Sequence, residues 1–175
     1  MNKQAPHSVR PSAQAGFTLI ELIVVIVILG ILAATALPRF ASLGGDARVA
    51  SLQAARGALN TTAAMVHGQA LLNPSATQIT NDGISIPLVA SYPGASTATA
   101  NAAGLTENDY LITPNNTSSD VPATTTTPTV PANGFVVVPN SIKGTATAVT
   151  CYLSYKEAAN ANTPPVVTLV TSTCQ

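Results

Sequence analysis

The chain has 175 residues, of which only 8% are charged, and seven Lys and Arg residues balance seven Asp and Glu residues. A neutral chain with so few cations offers no basic patch of the size that nucleic acids require, so nucleic acid is not an expected partner. The length has room for one membrane anchor and one modest globular domain. Trp is absent and aromatic residues make up 4% of the chain, so any core must be mainly aliphatic.

An apolar run dominates the N-terminal part of the chain. Residues 1–16 are polar and carry Lys3 and Arg10 but no acidic residue, which favours a cytoplasmic N-terminus. The run from Phe17 to Leu37 then has 21 residues, with Glu21 as its only charged one. At about 1.5 Å per residue, it is long enough to span a hydrocarbon core of about 30 Å. We therefore predict a leader at 1–16 and a transmembrane helix at 17–37.

Two interpretations of this run compete. In the first, the chain is cut after Gly16 and the run remains as an anchor. In the second, the run is a secretory signal, and Ala34-Thr35-Ala36 supplies a small-residue cleavage site. The apolar region of a secretory signal spans about 7–15 residues, whereas this run is longer and contains a carboxylate, so we favour the anchor. A mature chain that begins at Phe17 supports the anchor, and one that begins at Leu37 supports a secreted domain.

Glu21 is a candidate functional residue, because a carboxylate inside an apolar segment costs about 2.5–3.5 kcal/mol on insertion scales. The apolar run itself offers no evident partner for this charge. A free amine on Phe17 of the same chain lies about 6 Å away along the helix with poor geometry, so an amine from another copy is better placed. The alternative is snorkelling, in which Glu21 reaches lipid headgroups from near one end of the run.

A helical pattern continues beyond the apolar run. Apolar residues recur at spacings of three and four, which predicts an amphipathic segment at 38–72 that seats a small domain on one face. Asn73-Pro74 ends the helix, which we therefore expect to run from Phe17 to Leu72, because the residue before a proline disfavours the helical conformation. The apolar stripe consists of Val49, Leu52, Ala55, Leu59, Ala63, Val66 and Ala70.

Helix breakers interrupt the middle of this helix. Pro38 removes one backbone hydrogen bond and clashes with the preceding turn, which favours a kink. Gly30 and the pair Gly44-Gly45 weaken the same region. Either these residues are tolerated irregularities, or the segment is built to unwind.

Residues 73–175 are predicted to form a turn-rich globular domain. Ile84–Leu88 alternates briefly but contains Pro87, so it is expected to be an edge strand at most. Residues 91–131 are rich in Ala, Thr, Ser, Asn and Pro, which predicts a long surface connection. Three strands are predicted after it, at 135–138, 145–155 and 166–170. We expect an α+β fold with an antiparallel sheet of three or four strands packed on the helix stripe.

Cys151 and Cys174 are the only two cysteines. In an exported chain, such a lone pair predicts a disulfide. The loop that it closes has about 24 residues, which stabilises the fold by roughly 3 kcal/mol. The alternative is two free thiols, which mass mapping under non-reducing conditions distinguishes.

The sequence has no pattern that indicates catalysis. After removal of the leader, one histidine remains, His67, and a lone histidine in a helix is more typical of a surface or packing residue than of a general base. The metal and hydrolase patterns H-x-x-x-H, C-x-x-C and G-x-S-x-G are missing. We therefore predict neither an enzyme nor a metal or cofactor site.

The junction Gly16-Phe17-Thr18-Leu19-Ile20-Glu21 resembles the N-terminal signature of type IV pilins and related pseudopilins. Within that family, the stretch from Phe17 to Leu72 is similar to pilins of the mannose-sensitive haemagglutinin (MSHA) pilus. Cys151–Ala158 and the late Cys174 are also similar to that subfamily, whereas 73–131 matches no family. The resemblance implies a type IV pilin-like fold, in which a long N-terminal helix packs against a small antiparallel sheet.

The resemblance also implies a processing and assembly route. A prepilin peptidase cleaves after Gly16 and methylates Phe17. The subunit waits in the bacterial inner membrane until the pilus assembly machinery extracts it into a helical homopolymer, the extracellular pilus. Glu21 then pairs with the N-terminal amine of a neighbouring subunit, and the segment between Gly30 and Pro38 is often unwound. Surface glycans are a further expected partner of an adhesive pilus of this kind.

Two other functions fit the same N-terminal region. A pseudopilin of a type II secretion system belongs to the same machinery class, but the chain length and the cysteine pair favour a pilin. A membrane-anchored periplasmic binding domain would keep the anchor without assembling. Electron microscopy of sheared surface material separates these functions, because only a pilin predicts long fibres.

Overall fold

The computed structural model describes residues 16–174, without the side chains of residues 38–42. The predicted leader therefore lies outside the described residues, apart from Gly16. The chain divides into two compact units, one up to Ala41 and one from Ser42 onward. The long helix α1 (Leu19–Leu72) contributes residues to both units.

In the first unit, α1 begins two residues later than the predicted start at Phe17. The backbone N–H of Glu21 donates to the Thr18 hydroxyl oxygen at 3.3 Å. This bond is typical of a helix N-cap, whose side chain satisfies an N–H group of the first turn. Because Thr18 is the N-cap residue, the helix starts at Leu19.

In the second unit, α1 supplies the stripe that the apolar spacing predicts. Its members from Leu52 onward are buried, and Val49 is partly buried against the same core. The helix ends at Leu72, directly before Asn73-Pro74. The residues buried along the stripe are Leu52, Ala55, Leu59, Ala63, Val66 and Ala70.

Two antiparallel sheets follow α1. The three-stranded sheet has the order β1 (Gln78–Asn81), β2 (Ile84–Val89), β3 (Tyr92–Pro93). The four-stranded sheet has the order β4 (Tyr110–Asn115), β5 (Gly134–Pro139), β6 (Cys151–Lys156), β7 (Val166–Thr171). A short helix, α2 (Thr97–Ala102), and two 3₁₀ helices, Asn140–Ile142 and Ala146–Val149, complete the described elements.

The core lies between α1 and the four-stranded sheet. Leu52 and Leu59 of α1 share one buried cluster with Phe135, Leu153 and Tyr155 of the strands. The predicted α+β architecture, a long helix that carries a small antiparallel sheet on its apolar stripe, is confirmed. The strands predicted at 135–138 and 166–170 are confirmed as β5 and β7.

The expectation that Ile84–Leu88 forms at most an edge strand is wrong, because β2 is the middle strand of its sheet. β1 pairs with the residues up to Pro87, whereas β3 pairs only with Leu88 and Val89. The Pro87 nitrogen has no hydrogen to donate, and the pairing of β2 with its two neighbours does not require one at this position. Its carbonyl accepts a hydrogen bond from the Gly94 N–H at 2.8 Å. A middle strand tolerates this proline because its two neighbours cover different parts of its length.

The prediction of a surface connection at 91–131 is also wrong, since the segment contains β3, α2 and β4. Ala100 and Ile112 are buried within it. Thr99 is buried as well, and its hydroxyl donates to the Gly94 carbonyl at 2.6 Å, which satisfies the buried polar group. Small Ala and Thr side chains pack closely here. A segment whose composition suggested a solvent-exposed loop therefore contributes buried residues to the core.

Only the second half of the strand predicted at 145–155 is a strand. Ala146–Val149 is a 3₁₀ helix, and β6 begins at Cys151. Gly144 has a φ of +74°, a conformation that favours glycine and turns the chain before this helix. Burial alternates along β6, because Cys151, Leu153 and Tyr155 are fully buried and the residues between them are only partly buried.

The predicted disulfide between Cys151 and Cys174 is present, and both residues are buried. It joins the start of β6 to the C-terminal segment. The Arg48 guanidinium donates from Nη1 to the Cys174 carbonyl at 2.5 Å and from Nε to the Ser141 hydroxyl at 3.1 Å. Arg48 therefore ties α1 to the segment that the disulfide secures.

Candidate functional site: the apolar helix segment and its carboxylate

The apolar part of α1, Leu19–Leu37, is 19 residues long, and none of its side chains is buried. Its large apolar side chains are between 43% (Ile23) and 75% (Leu19) exposed. A soluble monomer rarely exposes a contiguous apolar surface of this extent. By length and composition the segment can cross a membrane, although a signal sequence near an N-terminus has the same properties. The segment needs lipid or protein around it.

Glu21 lies in the first turn of this segment, and Thr18 holds its side chain. The carboxylate oxygen Oε2 accepts hydrogen bonds from the Thr18 N–H and from the Thr18 hydroxyl, each at 2.8 Å. Together with the bond from the Glu21 N–H, this is a reciprocal capping box. The expectation that the apolar run offers no partner is therefore wrong. Thr18 is neutral, however, so an apolar environment still demands a cation for this charge.

Thr18 is the residue of this site that the sequence analysis missed. A Thr or Ser followed three residues later by Glu, directly before an apolar run, is the sequence signature of a capping box. Thr18-Leu19-Ile20-Glu21 has this pattern. The signal was present, and it assigns Thr18 to orienting the carboxylate.

Gly16 and Phe17 lie just before α1. Both are exposed and their backbone is not helical, and the Phe17 side chain is 96% exposed. The peptide bond between them is therefore accessible at the start of the helix. Phe17, Thr18 and Glu21 lie together at one end of the apolar segment.

Gly30 and Pro38 lie farther along α1, about 14 Å and 26 Å from Glu21 at a rise of about 1.5 Å per residue. The backbone is helical at both positions. A Cβ atom added at Gly30 would meet no described atom within 4 Å, so contacts among the described residues do not require glycine there. The structure does not bring these two residues to the capping box.

His67 lies in the second unit as a packing residue. Its Nδ1 atom is hydrogen-bonded to the Ser91 carbonyl at 2.8 Å, and its ring stacks on Tyr92 with 3.9 Å between centroids. Within the part of the chain that the structure describes, no three His, Cys, Asp or Glu side chains lie close enough together to hold a metal ion.

Comparison with known proteins bears directly on the N-terminal segment. Residues 11–37 match the family described as the prokaryotic N-terminal methylation motif. The chain is also 45% identical, over 64 residues, to the type IV narrow pilus major component PilA5 of Thermus thermophilus. That alignment covers 37% of this chain and 55% of the relative, so the chain spans little more than half of the relative's length. No solved structure matches the chain significantly.

These two matches support the type IV pilin family. The methylation motif, the exposed apolar helix and the pilin relative together fit a membrane-bound precursor that becomes part of an extracellular pilus.

Proposed function

We propose that this chain is a structural subunit of a type IV pilus, rather than an enzyme, and that it polymerises through α1. The observation that carries this proposal is an exposed apolar segment of 19 residues that contains one carboxylate and overlaps a methylation motif. The resemblance of Cys151–Ala158 to MSHA pilins supports a finer proposal, in which the pilus is MSHA-like and adheres to surfaces. Surface glycans are its proposed ligands.

A prepilin peptidase is the proposed first partner. It cuts after Gly16 and methylates Phe17 while the apolar segment lies in the inner membrane. The non-helical, exposed backbone at these two residues supports this step, because a peptidase needs a stretch of chain that is free of helical hydrogen bonds. The cut leaves a new amine beside Thr18. The pilus assembly machinery then moves the subunit into the filament.

Glu21 is proposed to pair with the Phe17 amine of a neighbouring subunit. Thr18 turns the Glu21 carboxylate towards the start of the helix, where chain cleavage generates the positive charge. We propose that a second copy, rather than the same chain, supplies that charge, and that the pair then fixes the register between subunits. Snorkelling towards headgroups is the competing role.

The segment between Gly30 and Pro38 is proposed to unwind in the filament. A helix-interior glycine is about 1 kcal/mol less favourable than alanine, and a helix-interior proline costs about 3 kcal/mol. Among the described residues, the space around Gly30 is open, so packing between them does not require a glycine at that position. The low helical preference therefore supports a conformational change that assembly drives.

The experiment that tests this proposal replaces Glu21→Gln, which removes the charge and keeps the size of the side chain. We expect the variant to enter the membrane normally, because a neutral side chain is easier to insert. Fibre yield falls by about tenfold or more, because the neighbouring amine is left without its partner in an apolar surrounding. Glu107→Gln, the same change at an exposed residue of the globular unit, is the matched control and keeps full yield.

Fibres are counted by electron microscopy of sheared surface material, and subunit levels are measured in the membrane fraction. Normal fibres from Glu21→Gln would contradict the pairing and favour snorkelling. Wild-type cells that hold the subunit but form no surface fibres would contradict the pilus itself, and would favour a pseudopilin or an anchored periplasmic binding domain.

A further inference from the structure

An open cleft lies in the second unit between the start of its helical part and the loop before β4. Its volume is about 480 Å³, which lies within the range of about 300–1,000 Å³ typical of small-molecule sites. Seven of its ten lining residues are polar or charged, and they come from separate parts of the chain. Among these polar and charged residues are Arg48, Ser51, Asn108, Asp109, Tyr110 and Asn140.

Asn140 fixes the loop that forms one wall of the cleft. Its side-chain amide donates to the carbonyls of Glu107 and Asn108 at 2.8 and 2.9 Å, and its backbone N–H donates to the Asp109 carbonyl at 2.9 Å. Three consecutive carbonyls are thereby occupied. The loop offers its side chains to a ligand. Its three carbonyls already accept hydrogen bonds from Asn140, so they are poorly suited to pair with an extended peptide.

Arg48 forms the opposite wall and is also held in place. It uses two of its five N–H groups, one to the Ser141 hydroxyl and one to the Cys174 carbonyl, which leaves three. The Ser51 and Tyr110 hydroxyls share one hydrogen bond of 2.5 Å, which leaves one of their two O–H groups free to donate. This side of the cleft therefore presents donors that are already oriented.

Acceptors face the same space. Among the described residues, the Asp109 carboxylate accepts only a long hydrogen bond of 3.3 Å, on Oδ2 from the Thr106 hydroxyl. The Asn140 side chain donates both of its amide hydrogens, and its oxygen remains as an acceptor. A free anion would meet the Asp109 carboxylate, and a free cation would meet the Arg48 guanidinium. The ligand that fits donors and acceptors side by side is one whose groups each donate and accept, which hydroxyl groups do.

We infer that this cleft binds a neutral saccharide through adjacent hydroxyl groups. Arg48 donates to hydroxyl oxygens, Asp109 accepts from hydroxyl hydrogens, and Asn108 can do both with its amide. This inference deepens the adhesion part of the proposed function by assigning a site and a ligand class to it. It does not depend on the pairing of Glu21.

The test measures binding of D-mannose, D-galactose and N-acetyl-D-glucosamine to the processed full chain by saturation-transfer NMR. The chain is kept in a zwitterionic detergent, because detergents with sugar headgroups would compete. We expect at least one of the sugars to bind. Asp109→Asn weakens that binding by about tenfold, because the lost hydrogen bond has a charged acceptor.

Asp82→Asn is the matched control, since it makes the same change at an aspartate outside the cleft. We expect it to leave the affinity unchanged within about twofold. Should circular dichroism show that Asp109→Asn is unfolded, Asn108→Ala takes its place with the same expected loss. The inference is overturned when none of the three sugars binds, or when the cleft and control variants lose binding equally.

Fibres of each variant are counted in parallel, so that failure of the sugar site is separated from failure of the pilus. The inference predicts that Asp109→Asn keeps normal fibres. Loss of fibres in that variant without any sugar binding would overturn the inference and assign the cleft to a contact between subunits. Absence of fibres from the wild type would contradict the pilus. The sugar-binding result would then still decide whether the cleft is a saccharide site.

Discussion

Tyr155 connects the two sheets through a single side chain. Its ring stacks on Phe135 with 4.8 Å between centroids, and its hydroxyl donates to the Pro93 carbonyl of β3 at 2.6 Å. Burial, and to a lesser degree the negative charge of Glu157, raises the pKa of the Tyr155 hydroxyl above its ordinary value of 10.0. The folded chain therefore holds this proton more tightly than the unfolded chain does.

This shift predicts how stability depends on pH. Because the folded-state pKa is raised, the contribution of Tyr155 is fully present below about pH 10 and is lost as the pH rises above it. Tyr155→Phe removes the ionisation and should flatten that loss. At neutral pH the same variant should be about 1–3 kcal/mol less stable, because the Pro93 carbonyl loses its donor.

Urea unfolding of the full chain in detergent, followed by circular dichroism from pH 7 to about pH 11, measures both effects. The two proteins differ only in the Tyr155 hydroxyl, so the contributions of all other groups cancel in the difference. Equal slopes for wild type and variant above pH 10 would show that Tyr155 is not the responsible group.

The residues of the candidate site differ in how far the sequence reveals them. Gly16, Phe17 and Glu21 are evident because they lie within six consecutive positions, and the capping role of Thr18 lies within the same span. The contacts of Arg48 are not evident, because Ser141 and Cys174 are 93 and 126 residues away. A local sequence pattern does not identify hydrogen-bond partners that are so far apart in the chain.

Among the elements, the β1–β2 hairpin depends on its turn. Asp82 and Gly83 have φ values of 49° and 80°, the left-handed conformations that a two-residue hairpin turn requires. Asp-Gly between two short strands is a hairpin signal. A Cβ atom added at Gly83 would meet nothing within 4 Å, so only the backbone conformation argues for glycine there.

Two glycine-to-alanine substitutions should consequently have opposite effects. Gly83→Ala should lower the stability by about 1–2 kcal/mol, the cost of a left-handed conformation for a residue with a Cβ atom. Gly57→Ala should raise it by about 0.5–1 kcal/mol, because Gly57 lies in the helix α1 with open space around it and alanine is the better helix former. Thermal unfolding of the unassembled full chain measures both, and shifts of the same sign would contradict this explanation.

The elements also show where sequence patterns stop being sufficient. The apolar stripe of α1 repeats every three or four residues over several turns, so its period is unmistakable. β4 contains Pro114 and has no such period, yet it is a strand because it lies at the sheet edge, where proline is tolerated. Its partner β5 begins well beyond it in the chain, at Gly134, and this distant pairing, rather than local propensity, decides its conformation.

At the scale of the whole molecule, the two units differ in whether they bury their own apolar residues. The second unit buries its apolar residues in a core between helix and sheet and closes its C-terminal segment with a disulfide. The first unit leaves its apolar residues exposed along 19 positions. This segment needs lipid or protein around it, which fits the proposed filament subunit with a membrane-bound precursor.

Mass spectrometry of sheared surface filaments tests this account most directly. We predict that the filaments contain this chain, that its first residue is an N-methylated Phe17, and that Cys151 and Cys174 are joined. A chain that is found only as a soluble monomer beginning at Leu37, with the apolar segment removed, would contradict it.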